Sequence, residues 1–438
     1  MTRALDRDIA RLAVPALGAL VAEPLFLLTD TALVGHLGAA PLAGLGIASV
    51  VLQTALGLLV FLAYATTPTV ARRLGAGDLA GAIRAGIDGM WFALLVGAIL
   101  LLVGLTTAGS LITAFGTAPD VASQATTYLR ISVLGLPAML LVIATTGLLR
   151  GLQNTRTPLV VATAGFAANA ALNALFIYGF GWGIAGSAIG TVVAQWAMAS
   201  VYVVIAVRAA RRVGASLRPG LGGVGRTASA GGWLLIRSAA LRFAMLLTVW
   251  AAGTLGVTGL ASIQVALTLF STLAFALDAL AIAGQAMVGH ALGAGDEGRV
   301  KAITKRLEFW GVMGGAALGA VLMAVSGILP SVFTTDPAVR ALLPGVLRAM
   351  AIGIPLAGLV FVLDGVLLGA GDARYLAWTG LVNVGVYLPL LAWALTAPVD
   401  GRPVALWIAF GLGYIGARAV TLGLRRASGR WIVTGAAR

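Results

Sequence analysis

The sequence is poor in charge and has no cysteine. Of its 438 residues, 10% are charged and 60% are apolar, and the mean hydropathy is +1.01. A soluble domain carries about 25% charged residues, so this composition excludes an ordinary soluble protein. The absence of cysteine excludes disulfides, thiolate metal sites and iron–sulfur clusters. The two histidines, His36 and His290, are too few and too far apart for a typical bis-histidine haem site, so we expect no metal and no cofactor.

Acidic residues are scarce, with 15 Asp and Glu against 29 Lys and Arg, and the net charge is +14. The basic residues cluster in short loops between apolar blocks of roughly 20 residues, long enough to cross a hydrocarbon core of about 30 Å. This is the pattern of the positive-inside rule, in which basic loops face anionic lipid. We therefore expect membrane lipids and no nucleic acid as partners.

The N-terminal apolar run resembles a signal peptide but continues too far. Glu23 and Pro24 interrupt it, and apolar sequence then resumes to Val34. We expect one uncleaved spanning helix. Pro15 and Pro24 each remove a backbone hydrogen bond and should bend this helix. The bend fits a conformational switch or a static kink equally well.

Twelve apolar segments predict an all-α polytopic membrane protein. Residues 1–207 are expected to form an N-lobe, 208–232 a cytoplasmic linker, 233–424 a C-lobe and 425–438 a cytoplasmic tail. Most Lys and Arg lie in the termini and even-numbered loops, which predicts that both termini are cytoplasmic. The predicted spans are 11–34, 41–68, 87–107, 122–149, 158–178, 185–207, 233–253, 260–288, 304–327, 341–368, 376–396 and 403–424.

The sequence contains an internal repeat. Val70–Asp78 matches Val288–Asp296 at six of nine positions, and the same ungapped alignment, the repeat register, pairs Pro137 with Pro355. Six spans per repeat predict two six-helix lobes related by a pseudo-two-fold axis near the membrane normal. This architecture favours a transporter, although respiratory and structural membrane proteins also duplicate. The repeated Gly-Ala-Gly-Asp loops lack the Lys-Ser/Thr of a P-loop, so we expect tight turns there.

Acidic residues inside the predicted spans are the candidate functional groups. A charge at the bilayer centre costs about 2.5–3.5 kcal/mol on insertion scales. Asp30 on the first span lies at a depth similar to that of Asn169 and Asn173, which share one face of the fifth span. A carboxylate beside two amides in low dielectric can bind and release a proton. We predict an ion-coupling site here; the alternative is an Asp that caps a broken helix.

The other candidates are expected to line a substrate path. Asp278 and Asp364 could share a C-lobe cavity that binds a cationic substrate or a second proton, or could form interhelical hydrogen bonds. Glu23 could line the cavity of Asp30 or pair with a freed backbone group. Gln53 and Gln264 could line the path, although interhelical hydrogen bonds would explain them too.

The stretches Glu23–Gly38, Ala71–Asp78 and Gly151–Pro158 resemble those of MATE (multidrug and toxic compound extrusion) transporters. Leu277–Ala279 and Asp364-Gly365 add a resemblance to the DinF branch. The resemblance implies two six-helix lobes that rock between inward-open and outward-open states. It also implies export of bulky, often cationic compounds, driven by proton or sodium entry.

In the family, the first and fifth helices of the N-lobe form the cation site, which implies this role for Asp30, Asn169 and Asn173. Some relatives carry a second Asp at the position of Asn173. One carboxylate fewer weakens a sodium cage and favours a proton.

We therefore predict a proton-coupled antiporter of bulky, cationic or amphipathic organic compounds, monomeric, in the bacterial inner membrane. Sodium coupling and a lipid-linked precursor flippase of the same superfamily are the alternatives within transport. A membrane enzyme or electron-transfer subunit would need His, Cys or catalytic polar residues clustered at one depth, which the sequence lacks. A channel remains a further alternative, but a two-lobe duplication suits alternating access better.

Overall fold

The computed structural model describes residues 2–398 and 401–436, apart from the side chains of Thr2, Glu23 and Leu221. Within these ranges, twelve helices are long and apolar enough to cross a membrane, which confirms the predicted number. Each begins before the predicted span, because the helix continues beyond the block from which hydropathy predicted it. The helices are α1 (Arg3–Gly35), α2 (Ala39–Gly75), α3 (Leu79–Thr113), α4 (Pro119–Gly151), α5 (Arg156–Gly179), α6 (Gly183–Arg212), α7 (Gly222–Gly253), α8 (Gly256–Gly293), α9 (Glu297–Val325), α10 (Pro337–Gly369), α11 (Ala373–Thr396) and α12 (Arg402–Ser428).

Large apolar side chains on these helices remain uncovered by protein. Leu102, Val160, Ile352 and Val420 are each more than 60% exposed. Surfaces of this kind are stable against lipid and unfavourable in water.

The repeated Gly-Ala-Gly-Asp loops form tight turns, as predicted. Gly77 and Gly295 adopt positive φ angles of 80° and 74°, a conformation that favours glycine. The carboxylates of Asp78 and Asp296 then cap the next helices, accepting from the backbone N–H groups of Gly81 (2.7 Å) and Arg299 (2.8 Å).

Four helices contain local irregularities. Helix α2 is divided at Val60, between Ala39–Leu59 and Phe61–Gly75. Helix α4 has a 3-10 turn at Val133–Gly135, and π-helical segments occur at Leu175–Gly179 in α5 and Ala409–Tyr414 in α12. By contrast, α1 stays helical across Pro15 and Pro24, so the bend predicted there stays a prediction.

Equivalent helix contacts recur in the two repeats. A Cβ on Gly97 would lie 2.6 Å from Cα of Pro137, and a Cβ on Gly315 would lie 2.8 Å from Cα of Pro355. The repeat register relates the two glycines to each other and the two prolines to each other. The repeat therefore encodes helix packing in which only a hydrogen atom fits at the glycine.

The chain divides into two compact units. One comprises Gly18–Gly231, and the other combines the chain up to Leu17 with Gly232–Ala436. This differs from the predicted N-lobe, residues 1–207, at both ends. At the first end, the start of α1 packs with the C-terminal repeat. Asp6 receives two hydrogen bonds from Arg306, one of 2.7 Å from Nη2, and one of 2.7 Å from Nε1 of Trp310.

The segments predicted as linker and tail contain regular structure. Most of residues 208–232 is helical, because α6 runs to Arg212 and α7 begins at Gly222. In the tail, α12 continues to Ser428 and the indole of Trp431 is buried.

Candidate functional site

The unit Gly18–Gly231 contains a buried carboxylate. Asp30 lies on α1, one turn before the helix ends at Gly35, and is 4% exposed. Oδ1 accepts hydrogen bonds from Nδ2 of Asn173 on α5 (2.7 Å) and from Oγ of Ser187 on α6 (2.8 Å). Oδ2 accepts one from the hydroxyl of Tyr128 on α4 (3.2 Å). Four helices thus converge on one side chain.

The two asparagines of α5 lie together, as their spacing predicted. Nδ2 of Asn173 also donates to Oδ1 of Asn169 (3.2 Å), and Nδ2 of Asn169 donates to Oγ1 of Thr191 on α6 (2.9 Å). The structure therefore brings Asp30, Asn169 and Asn173 into one hydrogen-bonded network. Their role in ion coupling stays a prediction.

Charge balance distinguishes this site from a structural ion pair. Within the described part of the chain, every hydrogen-bond partner of Asp30 is a neutral group. Three donors stabilise the ionised carboxylate, but no basic side chain among the described residues compensates its charge. Such a group can take up a proton or a small cation and release it again.

One acceptor in the network is unused. Oδ1 of Asn173 is buried and has no hydrogen-bond partner among the described residues. Gly190 makes room for this atom, since a Cβ at that position would lie against it. A buried acceptor without a donor is costly. A protonated carboxyl, a water molecule or a coordinated cation would satisfy it.

A small cavity adjoins the network. It has a volume of about 50 Å³, and its lining includes Phe26, Gln53, Phe166, Asn169, Thr191 and Gln195. Oε1 of Gln195 is a second buried acceptor without a partner in the described residues. The volume is sufficient for water molecules. Gln53 therefore lies at a cavity that shares Asn169 and Thr191 with the network of Asp30, and its predicted place on a substrate path stays a prediction.

Two other predicted residues are not placed at this site. The side chain of Glu23 lies outside the described residues. Gln264 lies on α8 and is exposed. Its predicted place on a substrate path stays a prediction.

Asp364 is the main departure from the sequence-based expectation. It lies on α10 with 7% exposure, and Arg237 of α7 binds both of its oxygens, Nε donating to Oδ1 at 3.1 Å and Nη2 to Oδ2. Nη2 of Arg418 on α12 lies 3.3 Å from Oδ1. Asp364 thus offers no free carboxylate to a cationic substrate or second proton, contrary to one prediction. The alternative, an interhelical contact, fits the ion pairs. Asp278 on α8 is half-buried and takes part in a polar or electrostatic interaction, and its predicted role stays a prediction.

Several side chains of these polar clusters were missed at the sequence level. Tyr128, Ser187 and Thr191 carry ordinary polar groups in apolar spans and give no distinct signal. Arg237 and Arg418 did give a signal, because both lie inside predicted spans on the repeat that contains Asp364. Buried arginine in a membrane span calls for a partner.

A family comparison covers most of the chain. The model of the family MatE matches residues 15–175 and 234–393. In the repeat register, the last residue of the first match, Leu175, corresponds to the last residue of the second, Trp393. The family model thus matches once in each repeat, in the register found in the sequence.

Comparisons with individual proteins agree with the family match. Protein DETOXIFICATION 43 of Arabidopsis thaliana is 29% identical, covering 97% of this chain and 90% of the relative. DNA damage-inducible protein F (DinF) of Escherichia coli is 28% identical over 66% of this chain and 64% of the relative, which supports the predicted branch. A multidrug resistance MATE family transporter, solved in an outward-facing conformation, has a TM-score of 0.86 at 20% identity, covering 98% of this chain and 96% of that one. This last likeness establishes the two-lobe fold.

Proposed function

This chain belongs to the MatE family of membrane transporters, and we propose that it is a proton-coupled antiporter. In this proposal it exports bulky, cationic or amphipathic organic compounds by alternating access. The observation that carries the proposal is the buried carboxylate of Asp30, which has three hydrogen-bond donors and no basic partner in the described residues. A group that gains and loses a proton in a membrane helix can exchange that proton for substrate.

A proton fits this site better than sodium. The network supplies one carboxylate, while its other oxygens belong to amides and hydroxyls. One carboxylate balances the charge of a sodium ion but supplies at most two of the several oxygen ligands that a cation held away from water needs. A proton needs only one oxygen. Sodium coupling is the alternative, and the unused Oδ1 of Asn173 is the atom that would favour it.

The membrane gradients suffice to drive such an exchange. One charge crossing ~100 mV releases about 2.3 kcal/mol, and one pH unit is worth about 1.36 kcal/mol. A proton exchanged for a monovalent cation is electrically silent, so only the pH difference drives it. The exchange of a proton for a neutral or zwitterionic substrate would be driven by both the membrane potential and the pH difference.

We place the protein in the bacterial inner membrane as a monomer without enzymatic activity. The basic residues in the termini and even-numbered loops support cytoplasmic termini. One chain with two six-helix repeats can supply its own substrate path, which supports the monomer.

Proton flux in proteoliposomes tests this proposal. Vesicles with an acidic lumen and no sodium receive ethidium, a bulky cation, or norfloxacin, a bulky zwitterion. We expect either compound to trigger proton release from the lumen in the wild type. Asp30→Asn should abolish the release, because an amide cannot exchange a proton.

The control is Asp120→Asn, which makes the same change at an exposed position in the first turn of α4 and should leave the release intact. Release that persists in Asp30→Asn would move coupling away from this site. Uptake that needs a sodium gradient would reverse the ion assignment. If neither a proton gradient nor a sodium gradient drives transport of these compounds, the result would favour a lipid-linked precursor flippase.

A further inference from the structure

Two arginines occupy equivalent places in the two repeats. The repeat register pairs Arg130 on α4 with Arg348 on α10, and it also pairs Pro119 with Pro337, where these helices begin. Each arginine therefore lies about 16 Å along its helix. With the cytoplasmic termini proposed above, α4 and α10 both begin on the outer side of the membrane, so both arginines belong to its outer half.

The length of the helices places the two arginines near the lipid headgroups. Helices α4 and α10 each have 33 residues, which gives each a length of about 50 Å. The hydrocarbon core is about 30 Å thick, so a centred helix projects about 10 Å at either end. A residue about 16 Å from the outer end then lies roughly 6 Å inside the hydrocarbon. From this depth, an arginine side chain can extend to the headgroups.

Both arginines lie on an exposed, otherwise apolar face of their helix. Arg130 is exposed, and Leu134, one turn deeper in the membrane, is 42% exposed. The repeat register pairs Leu134 with Ile352, which is 63% exposed and lies one turn deeper than the exposed Arg348. An uncovered large apolar side chain next to each arginine indicates that these faces contact lipid.

The face that carries Arg130 is directed away from the proton site. Tyr128, which donates to Asp30, lies two residues before Arg130 and is therefore roughly 200° away around the helix. A Cβ on Gly109 of α3 would lie 3.8 Å from Nη2 of Arg130. On the other side, the indole of Trp196 on α6 donates to the backbone carbonyl one turn beyond Arg130, at 3.1 Å. Arg130 thus lies between α3 and α6, on the side of α4 opposite the network of Asp30.

Neither arginine has an acidic partner in the described part of the chain. Arg130 makes no hydrogen bond or ion pair there, and Nε of Arg348 donates only to the neutral hydroxyl of Ser326, at 3.4 Å. The basic side chains of the outer loops differ, since Arg340 and Arg402 donate to backbone carbonyls of the preceding loop at 2.7 and 2.9 Å. An arginine at the edge of the hydrocarbon is costly unless an anion pairs with it.

We propose that Arg130 and Arg348 each bind the phosphate of an anionic phospholipid in the outer half of the bilayer. A planar guanidinium matches two phosphate oxygens, and the single negative charge of a phosphodiester balances one arginine. A zwitterionic lipid adds an ammonium group, for which these faces offer no acidic side chain among the described residues. Phosphatidylglycerol should therefore bind more tightly than phosphatidylcholine. The two repeats would thus each carry one lipid site.

This inference goes beyond the proposed function, because lipid binding needs neither a proton gradient nor Asp30. It can be tested on the full-length protein in phosphatidylcholine nanodiscs. The probes are phosphatidylglycerol and phosphatidylcholine that carry the same photoactivatable diazirine at the top of one acyl chain. After irradiation, peptide mass spectrometry locates and quantifies the lipid adducts.

We expect residues 126–134 and 344–352 to be labelled at least about fivefold more by the phosphatidylglycerol probe, which corresponds to about 1 kcal/mol. Arg130→Gln should remove this preference at 126–134 and leave it intact at 344–352, and Arg348→Gln should do the reverse. Each repeat is therefore the matched control for the other. Arg130→Lys, which keeps the charge but loses the planar fork, should retain part of the preference.

Four results would overturn the proposal. The first is equal labelling of the wild type by the two probes, which requires no variant to fold. The second is a preference at 126–134 that survives in folded Arg130→Gln protein. The third is loss of the preference at both segments in either single variant, because this would show a general structural effect. The fourth is loss of labelling on addition of millimolar inorganic phosphate, which would assign the arginines to a free anion instead of a lipid.

Discussion

At the scale of single residues, the two repeats carry different side chains at equivalent positions of the candidate site. The repeat register places Thr248 where the N-terminal repeat has Asp30, and Tyr387 where it has Asn169. These two also contact each other, with 2.6 Å between their hydroxyl oxygens, and both are fully buried. The C-terminal counterpart of the candidate site is therefore neutral. An exchangeable proton at this position belongs to the N-terminal repeat alone.

The choice of ion should depend on Asn173. Replacing it by Asp places a second carboxylate beside Asp30, at an atom now 2.7 Å from Oδ1. Two carboxylates at this distance repel each other unless a cation lies between them. We expect Asn173→Asp to make ethidium-driven transport respond to sodium, with at least about a tenfold rise in sodium affinity, equivalent to about 1.4 kcal/mol.

The appropriate control is Asn154→Asp. Asn154 precedes α5, where its side chain accepts from the backbone N–H of Thr157 at 3.0 Å, a bond that Asp can also make. Sodium should leave this variant unaffected. If Asn173→Asp ignores sodium as well, carboxylate number does not select the ion and the argument for a proton loses its support.

At the scale of helices, the duplicated glycine–proline contacts should limit stability. Gly315→Ala forces a Cβ to within 2.7 Å of the carbonyl oxygen of Ile354 and 2.8 Å of Pro355. Overpacking of this kind costs about 1–3 kcal/mol. Its repeat partner Gly97→Ala meets Pro137 at 2.6 Å and should be destabilised similarly. Thermal unfolding in detergent, followed by size-exclusion fluorescence, would show both as a lower Tm.

The neighbouring glycine on the same helix provides the control. A Cβ on Gly314 would meet nothing within 4 Å. Gly314→Ala should therefore raise stability or leave it unchanged, since Ala is favoured over Gly in a helix by about 1 kcal/mol. Equal Tm values for Gly314→Ala and Gly315→Ala would show that the close helix approach does not contribute to stability.

The sequence predicted the helices and the repeat well because hydropathy and spacing determine both. The sequence also predicted that Asp30, Asn169 and Asn173 lie together, because Asp30 has a similar depth and the i, i+4 spacing places both asparagines on one helix face. It could not supply Tyr128 or Ser187, because the rotation of an apolar helix about its axis depends on packing that hydropathy does not record. For a related reason, the sequence could not decide between the two roles considered for Asp364. Its arginines come from α7 and α12, neither of which is next to α10 along the chain.

At the scale of the whole molecule, the two units carry different polar chemistry on one duplicated fold. The unit Gly18–Gly231 contains a buried acid with neutral partners, and the other contains a buried acid paired with arginines. We expect the unit Gly18–Gly231 to handle the proton. The two repeats thus share one fold, and we expect them to differ in function.

The most direct measurement is proton release from the purified protein in unbuffered detergent solution on addition of norfloxacin, without any membrane gradient. We predict about one proton released per molecule bound in the wild type, because binding and protonation of Asp30 compete in an antiporter. Asp30→Asn should bind norfloxacin and release none. Equal release from the two proteins, or none from a wild type that binds the compound, would contradict the assignment of Asp30 as the coupling group.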